Sequence, residues 1–461
     1  MALPYEDSMK EILQKLITKY SGNYLEIHYE ERYYHFVSFA GKELENVGSA
    51  KASSGNVRVF NKGDWSFVSF NDKNIEKHVD NAVNNLKYMN GSRESGLKPS
   101  QVVVDKIKTE YQKSPLEIPL SDKVNLMSRY NEIILKHDKI QTSRVTYRDE
   151  HKKNYYINSE GSFIESDKVF TGLALYAMAR DGMNVQKGYY TDAGYCGFEV
   201  VENRDRECEN ICQTAIDLLS AKSPDKGSYR VILDPRMSGV FAHEAFGHLS
   251  EADFIYENKD MQEMMTLGRE FGVKDLNIVD DATLKGIAGY LPYDDEGVSG
   301  KKKYLIKDGK LHSRLHSRET AYQLGEEITG NARALSPSYA PIVRMTNTFI
   351  DNGDKSFNDL LSQLDNGIYC VDYLGGMTNL EMFTFTAAKA FEVKNGKVGS
   401  LLKDVQLSGN VFHTLKNIEA IGNDLHHFGG LGGCGKGGQN GLPVTVGGPH
   451  ILVDNVVIGG K

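Results

Sequence analysis

The chain has 461 residues, 40% hydrophobic and 25% charged, with a formal net charge of −8. That length is more than one compact core supports and points to two or three domains of ordinary globular composition. The acidic balance, with no long Lys/Arg run, excludes direct nucleic-acid binding through a basic stripe, and no stretch approaches the ~20 apolar residues of a membrane span.

Residues 1–19 are charged and amphipathic, with Ile12, Leu13, Leu16 and Ile17 at helical spacing. They hold neither an apolar signal core nor a cleavage site, so the expected location is cytoplasmic. Residues 24–39 alternate as a strand. Residues 56–60 and 65–70 are two more, joined by a turn at Asn61-Lys62-Gly63, with Trp65 expected in the core. Residues 75–86 read as an amphipathic helix, and 89–98, with Asn90-Gly91 and Gly96, as a boundary loop. The order then repeats: a helix over 121–137 capped by Ser121, four strands over 142–149, 153–158, 162–168 and 171–181, and a helix over 204–221. The middle two of the four strands meet at a turn over 158–161.

Beyond residue 226 glycine and short apolar runs dominate. Lys301-Lys302-Lys303 reads as the solvated start of a strand, and Asp308-Gly309, Asn395-Gly396 and Asn440-Gly441 as hairpin turns. Residues 429–448 carry more glycine than a packed element uses. They read as a loop where backbone approaches something closely, because strands over 443–446 and 450–457 follow at once. The five cysteines are odd in number and scattered, which argues against a disulfide framework. Cys208 and Cys212 share one helix face and read as buried thiols rather than a metal clip.

Residues 240–249 carry the chemistry. His243-Glu244 followed by His248 lies on a helix after a strand over 229–233, and two histidines with a Glu beside the first is the pairing used by zinc peptidases. The imidazoles hold the metal, and the carboxylate moves a proton from the attacking water to the leaving amine. The spacing is five residues rather than four, however. On a regular α-helix the two rings then stand about 140° apart. One turn with i→i+5 bonding restores convergence, and Gly247 suits such a distortion or a helix end, so the helix is expected to be irregular or to stop there.

A catalytic metal site wants a third protein ligand and one open position. The candidates are Glu251, Asp253, His426, His427 and Cys434. Cys434 stands out, since a thiol flanked by glycines is poorly placed for packing and Lys436 nearby favours its thiolate. A soft thiolate with two imidazoles suits Zn²⁺, with Fe²⁺ second. Asp294-Asp295-Glu296 reads as a turn or cleft-lining cluster rather than a second metal site, and Arg333 and Arg344 as structural or interface cations rather than holders of a substrate carboxylate.

Residues 243–253 (HEAFGHLSEAD), Asp294-Asp295-Glu296-Gly297, residues 329–333, residues 345–348 with Gly353-Asp354, residues 415–418 with Gly422-Asn423-Asp424, and Cys434-Gly435-Lys436 with Gly438-Gln439 together resemble the TldD/PmbA family, in its TldD-like branch. The resemblance implies a metallopeptidase acting on small or unfolded peptides. It implies a metal on His243, His248 and Cys434, Glu244 as the catalytic base, and a dimer formed with itself or with a paralogue lacking the motif. Leu249-Ser250 and residues 379–386 depart from the family pattern near the expected cleft.

Each half mixes antiparallel strands with flanking helices and shows no βαβ alternation, so the expected class is α+β. The expected division is an N-terminal domain over 1–225, with a sub-boundary near 90–115, and a strand-rich, metal-binding catalytic domain over 226–461. Two other readings stand beside the peptidase: a non-catalytic partner or scaffold subunit, which the intact Glu244 disfavours, and a metal-dependent amidohydrolase acting on a small molecule, which a closed pocket in place of an open groove would favour.

Overall fold

The computed structural model describes residues 6–459 except Ser21, Asn90, residues 92–94 and Leu380. The first five residues of the amphipathic start, Asn90 of the boundary loop and Leu380 of the 379–386 stretch lie outside the described residues. The architecture is α+β. Strands β1 (Tyr24–Ala40), β2 (Glu43–Asn61), β3 (Asp64–Phe70), β4 (Val104–Lys108), β5 (Ile140–Asn158), β6 (Phe163–Asp181) and β7 (Asn184–Gly194) form one sheet in the order β3-β2-β1-β5-β6-β4, with β7 also on β6. Among the described residues of this sheet, the β4–β6 pairing alone is parallel.

Period-two alternation divides this sheet into two unlike faces. Odd-numbered residues such as Leu25, Ile27, Val57, Val59, Val145, Leu173 and Leu175 are buried under four helices: α1 (Glu6–Lys19), α2 (Ile75–Asn85), α3 (Leu120–Leu135) and α4 (Asp205–Ser220). Even-numbered positions on the other face carry polar residues, among them Glu30, Asn56, Glu150 and Lys152. Cys208 and Cys212 are free, fully buried thiols in the α3–α4 core, as expected. Burial pushes both up, Cys212 to about 12.

Three expectations need correction here. The four-strand meander is two long strands, because β5 and β6 pair without a break from Thr142 to Ile157 and the charged stretch around Glu150 and Lys152 stays in the ladder. β2 starts at Glu43, well before residue 56. Its first half is mostly exposed and carries no apolar alternation, so pairing with β1 holds it. α3 begins at Leu120 after Pro119, and Ser121 lies inside the first turn, bonded to Asp122 rather than capping.

The polar face meets the C-terminal half along a seam of buried charges. The Arg58 guanidinium, 6% exposed, lies 2.8 Å from Glu26, 3.4 Å from Glu296 and 3.8 Å over the Trp65 ring. Trp65 is half-buried and donates to Glu319 at 2.9 Å, so it belongs to this seam and not to the core. Tyr156 donates to the Glu296 carbonyl, and His28 bonds the Asp295 carbonyl. Asp294 accepts the backbone N–H groups of Glu296 and Val298, so the acidic run is a turn built into the seam.

The C-terminal half has two main sheets. In one, β8 (Gly227–Leu233) lies between Gly367–Asn379 and Ile451–Gly459, and the sheet continues through Gln406–Asn410, Met382–Lys394 and Lys397–Leu402. The other runs Lys310–Leu311, Lys302–Lys307, Ile278–Asp281, Asn347–Ile350, Thr445–Gly448, His426–Phe428. Between them lies a core of Leu233, Phe241, Phe246, Ile350 and Phe385, into which α5 (Pro235–Phe241) is packed. Asp308-Gly309 and Asn395-Gly396 take positive φ at their turns. Asn440-Gly441 instead lies within a strand, and the turn of that hairpin is Gly437-Gly438. Lys303 is buried against Asp280 at 3.0 Å rather than solvated. No helix among the described residues is long and apolar enough to cross a membrane.

Candidate metal centre

β8 delivers the chain to Asp234, whose carboxylate caps α5 by accepting the Met237 N–H at 2.8 Å, and Pro235 fits the first helical position. The helix then widens. The His248 N–H donates to the His243 carbonyl, an i→i+5 bond, and a tight turn over His248–Ser250 follows. That wide turn swings His248 back beside His243, and the ring centroids stand 5.2 Å apart at 83°. The irregularity expected near Gly247 is therefore present. Gly247 is needed there, because a Cβ would fall 2.0 Å from the Met345 sulfur.

Cys434 arrives from the glycine-rich segment, on a short hairpin of Cys434–Lys436 against Gln439–Leu442. Its Sγ lies 3.3 Å from His248 Nε2, and one donor atom from each of His243, His248 and Cys434 falls within 4.8 Å of the others. Arg344 holds the hairpin in place. It is fully buried and donates to the carbonyls of Cys434 at 2.6 Å and Gln439 at 3.3 Å. Arg333 likewise donates to the Met345 and Pro443 carbonyls, so both arginines are structural. The glycines allow close contact: a Cβ on Gly429 would meet the Ala193 carbonyl at 2.3 Å, and one on Gly433 the Leu442 carbonyl at 2.3 Å.

A layer of fixed charges lies behind the cluster. Glu251, fully buried, accepts from His248 Nδ1 at 3.0 Å and pairs with Lys436 at 3.0 Å. Lys436 also bonds Asp253 and the Val343 carbonyl, and lies 4.2 Å over Phe254. Lys436 is thus committed to the acids behind His248. Burial pushes the Cys434 thiol up, but the His243 charge and hydrogen bonds from both imidazoles outweigh it and bring it down to about 5. For His248 burial acts downward, yet the bonds to Cys434 and Glu251 carry it up to about 10. The pocket is therefore built around a thiolate that wants positive charge.

The residues fit a metal ion. Two imidazole nitrogens and one thiolate are the donors of a three-protein-ligand zinc site, and His243 Nδ1 is buried with no hydrogen-bond partner among the described residues. Glu251 holds the His248 ring by its other nitrogen, as carboxylates behind metal-bound histidines do. Glu251, Asp253, His426 and His427 are not in the cluster, and His427 instead packs on Phe349. Glu244 is half-buried and faces the same open cleft, a cavity of about 550 Å³. Among the described residues its carboxylate has no hydrogen-bond partner. The far wall is β7, through Lys187, Tyr189 and Thr191, with Tyr373 and Phe428 beside it. Sequence reasoning did not find these wall residues. Their one signal is the odd-numbered alternation along β7, which says nothing of what the strand faces.

Three domain descriptions of the PmbA/TldA metallopeptidase family match the chain in order: domain 1 over residues 25–86, the central domain over 113–222 and the C-terminal domain over 226–460. A metalloprotease of Synechocystis sp. is 42% identical over 458 residues, covering 98% of each chain. A zinc metalloprotease TldD homolog of Saccharolobus solfataricus is 32% identical, covering 88% of this chain and 89% of its own. Among solved structures, a Thermotoga maritima protein described as a candidate modulator of DNA gyrase matches with a TM-score of 0.80 at 22% identity, covering 98% of this chain and 100% of its own. TldE from Thermococcus kodakarensis matches at 0.76 and 16%, with the same coverage. At those identities the likeness is one of fold.

Proposed function

The chain belongs to the PmbA/TldD family of metallopeptidases, and from that premise we propose that it hydrolyses peptide bonds in small or unfolded peptides at the His243–His248–Cys434 cluster, with Glu244 as general base. The three side chains would hold Zn²⁺, with Fe²⁺ the second candidate for the same donors. When bound, the ion supplies Lewis acidity that polarises a carbonyl and acidifies water. The observation that carries this reading is the convergence of two imidazoles and a thiolate beside an unengaged carboxylate in an open cleft.

The chain's own groups account for the proton transfers. Glu244, with no hydrogen-bond partner among the described residues, takes a proton from the attacking water and returns it to the leaving nitrogen. Glu251 fixes the His248 ring, and Arg344 fixes the strand that carries Cys434. The cleft is open rather than closed over a small molecule, which favours a peptide over a metabolite. Among the described residues, β7 pairs only with β6, so the part of its outer edge before Thr191, whose carbonyl accepts from Arg236 at 3.4 Å, is available for a peptide to add as a further strand with weak sequence preference. N-methylated peptides bound as tightly as their parents would count against that mode. The chain acts as a dimer, with a second copy or with a paralogue lacking the motif, and light scattering with and without that paralogue tests this.

The deciding experiment compares metal content and peptide cleavage in wild type, Glu244→Ala and Cys434→Ser. The expected result is about one metal per chain in wild type, retention without cleavage in Glu244→Ala, and loss of metal in Cys434→Ser. Full metal occupancy in Cys434→Ser would move the third ligand elsewhere and sink the assignment.

A further inference from the structure

Away from the metal cleft, the polar face of the first sheet and the C-terminal half enclose a second cavity of about 100 Å³. A single water needs roughly 10–15 Å³ on this measure, so the space takes a molecule the size of a small amino acid. Strand register brings its polar lining together: Glu30 is paired with Asn154 across β1 and β5, and Lys152 with Lys168 across β5 and β6.

These polar groups do not satisfy one another. Asn56, 3% exposed, donates to the Pro337 carbonyl, yet its Oδ1 has no donor among the described residues. Asn154 Oδ1 is likewise buried without a donor. Glu150 is better met, with Arg32 at 3.1 Å from its Oε1 and Arg148 at 3.5 Å from its Oε2. Lys152 reaches Glu150 only at 3.5 Å and Glu30 at 3.8 Å. Lys168 has the opposite deficit. Among the described residues its ammonium has neither a hydrogen-bond acceptor nor an ion-pair partner, only the Tyr195 ring at 6.0 Å. Burial pushes the Lys168 pKa down, with the Asp295 charge acting against it. Buried polar groups in folded proteins are paired in the great majority of cases, so two amide oxygens without donors, beside a half-buried cation without a partner among the described residues, call for a common partner in this space.

We propose that this cavity binds a small zwitterion, a free amino acid or a compound with the same pair of groups. The acceptors Asn56, Asn154 and Glu150 receive its ammonium, and Lys168 receives its carboxylate. An anion alone leaves the Asn56 and Asn154 oxygens unmet, and a cation alone leaves Lys168 unmet. Leu442 forms part of the wall and stands opposite Cys434 in the hairpin, so an occupant touches the strand paired with Cys434. The inference stands independently of the peptidase reading, because a free amino acid offers no peptide bond to cut.

The test is calorimetric titration of the full-length, metal-loaded protein with alanine and glycine, beside N-acetylalanine, which lacks the ammonium, and alaninamide, which lacks the carboxylate. The expected result is saturable binding of one amino acid per chain, with both analogues weaker by about tenfold or more, the loss of one charge-assisted contact. Lys168→Met and Asn56→Leu, each checked for an intact melting transition, should weaken alanine by a similar factor. Cys434→Ser should bind alanine as wild type does, which separates the cavity from chelation of the metal. The proposal is overturned by the absence of saturable binding with either amino acid, by N-acetylalanine binding as tightly as alanine, or by binding that disappears in Cys434→Ser while surviving in Lys168→Met. The analogue series decides the matter even if a variant fails to fold.

Discussion

Replacing Glu251 by Gln should weaken metal binding without removing a ligand. The Glu251 carboxylate is fully buried and accepts from His248 Nδ1 at 3.0 Å, with Lys436 at 3.0 Å on the same oxygen. Partners that hold a metal-bound imidazole by its second nitrogen are worth about 10–100-fold in affinity, or ~1.4–2.7 kcal/mol. An amide oxygen can still accept the Nδ1–H, but a charged acceptor makes the bond about twice as strong as a neutral one. Glu251→Gln therefore belongs near the tenfold end and Glu251→Ala near the hundredfold end. Lys436 keeps Asp253 and the Val343 carbonyl, so the Gln variant should stay folded. Glu251→Ala, which strips one partner from a buried pair, should lose stability by up to about 3–5 kcal/mol, with Asp253 offsetting part of it. The assay is Zn²⁺ competition against a chromophoric chelator, run beside thermal unfolding. Unchanged affinity in both variants, with the fold intact, would refute the argument that this carboxylate fixes the His248 ring.

Three other outcomes are expected. Gly239→Ala places a Cβ 2.5–2.8 Å from the backbone of Gly447, which cannot yield as a side chain does, so stability should fall by about 1–3 kcal/mol in urea denaturation. Arg58→Met leaves Glu26 and Glu296 buried without their cation and should cost about 3–5 kcal/mol, read as an earlier unfolding transition; an unaltered midpoint would show that the seam does not depend on it. Burial raises the Asp234 carboxyl to about 7, so the folded state binds the extra proton between the unfolded pKa and that value, and stability falls as pH rises through this window. Denaturation of wild type and Asp234→Asn from pH 4 to 8 should show the variant gaining on wild type as pH rises, whereas a constant difference would remove Asp234 as the cause.

Local chemistry was readable before the structure, and long-range chemistry was not. The five-residue His243–His248 spacing and Gly247 together called for an irregular turn or a helix end, and the structure takes the widened turn, because helical geometry is set within a few residues. Cys434 was conspicuous for its glycine neighbours, although they do not keep it out of packing: the thiol is buried in the C-terminal core. Lys436 was assigned to the thiolate by proximity in sequence, and the structure places it behind His248 on Glu251 and Asp253, a pairing that depends on how two distant segments dock. The seam around Arg58 and Trp65 escaped notice for the same reason, since an alternating strand reveals which residues share a face but not what that face meets. The first half of β2 has no apolar face to betray it, and the charged middle of β5 resembles a loop until its neighbours are in place.

His248 and Cys434 stand 186 residues apart, and most strands of the two C-terminal sheets lie between them in the chain. On the proposed reading, a partly folded or unfinished polypeptide carries both imidazoles and Glu244 but cannot assemble the donor set. Cutting ability then appears only once the intervening sheets have closed and Arg344 has captured the hairpin. On that reading an unfinished chain has no cutting ability of its own, and its activity becomes a report that folding is complete.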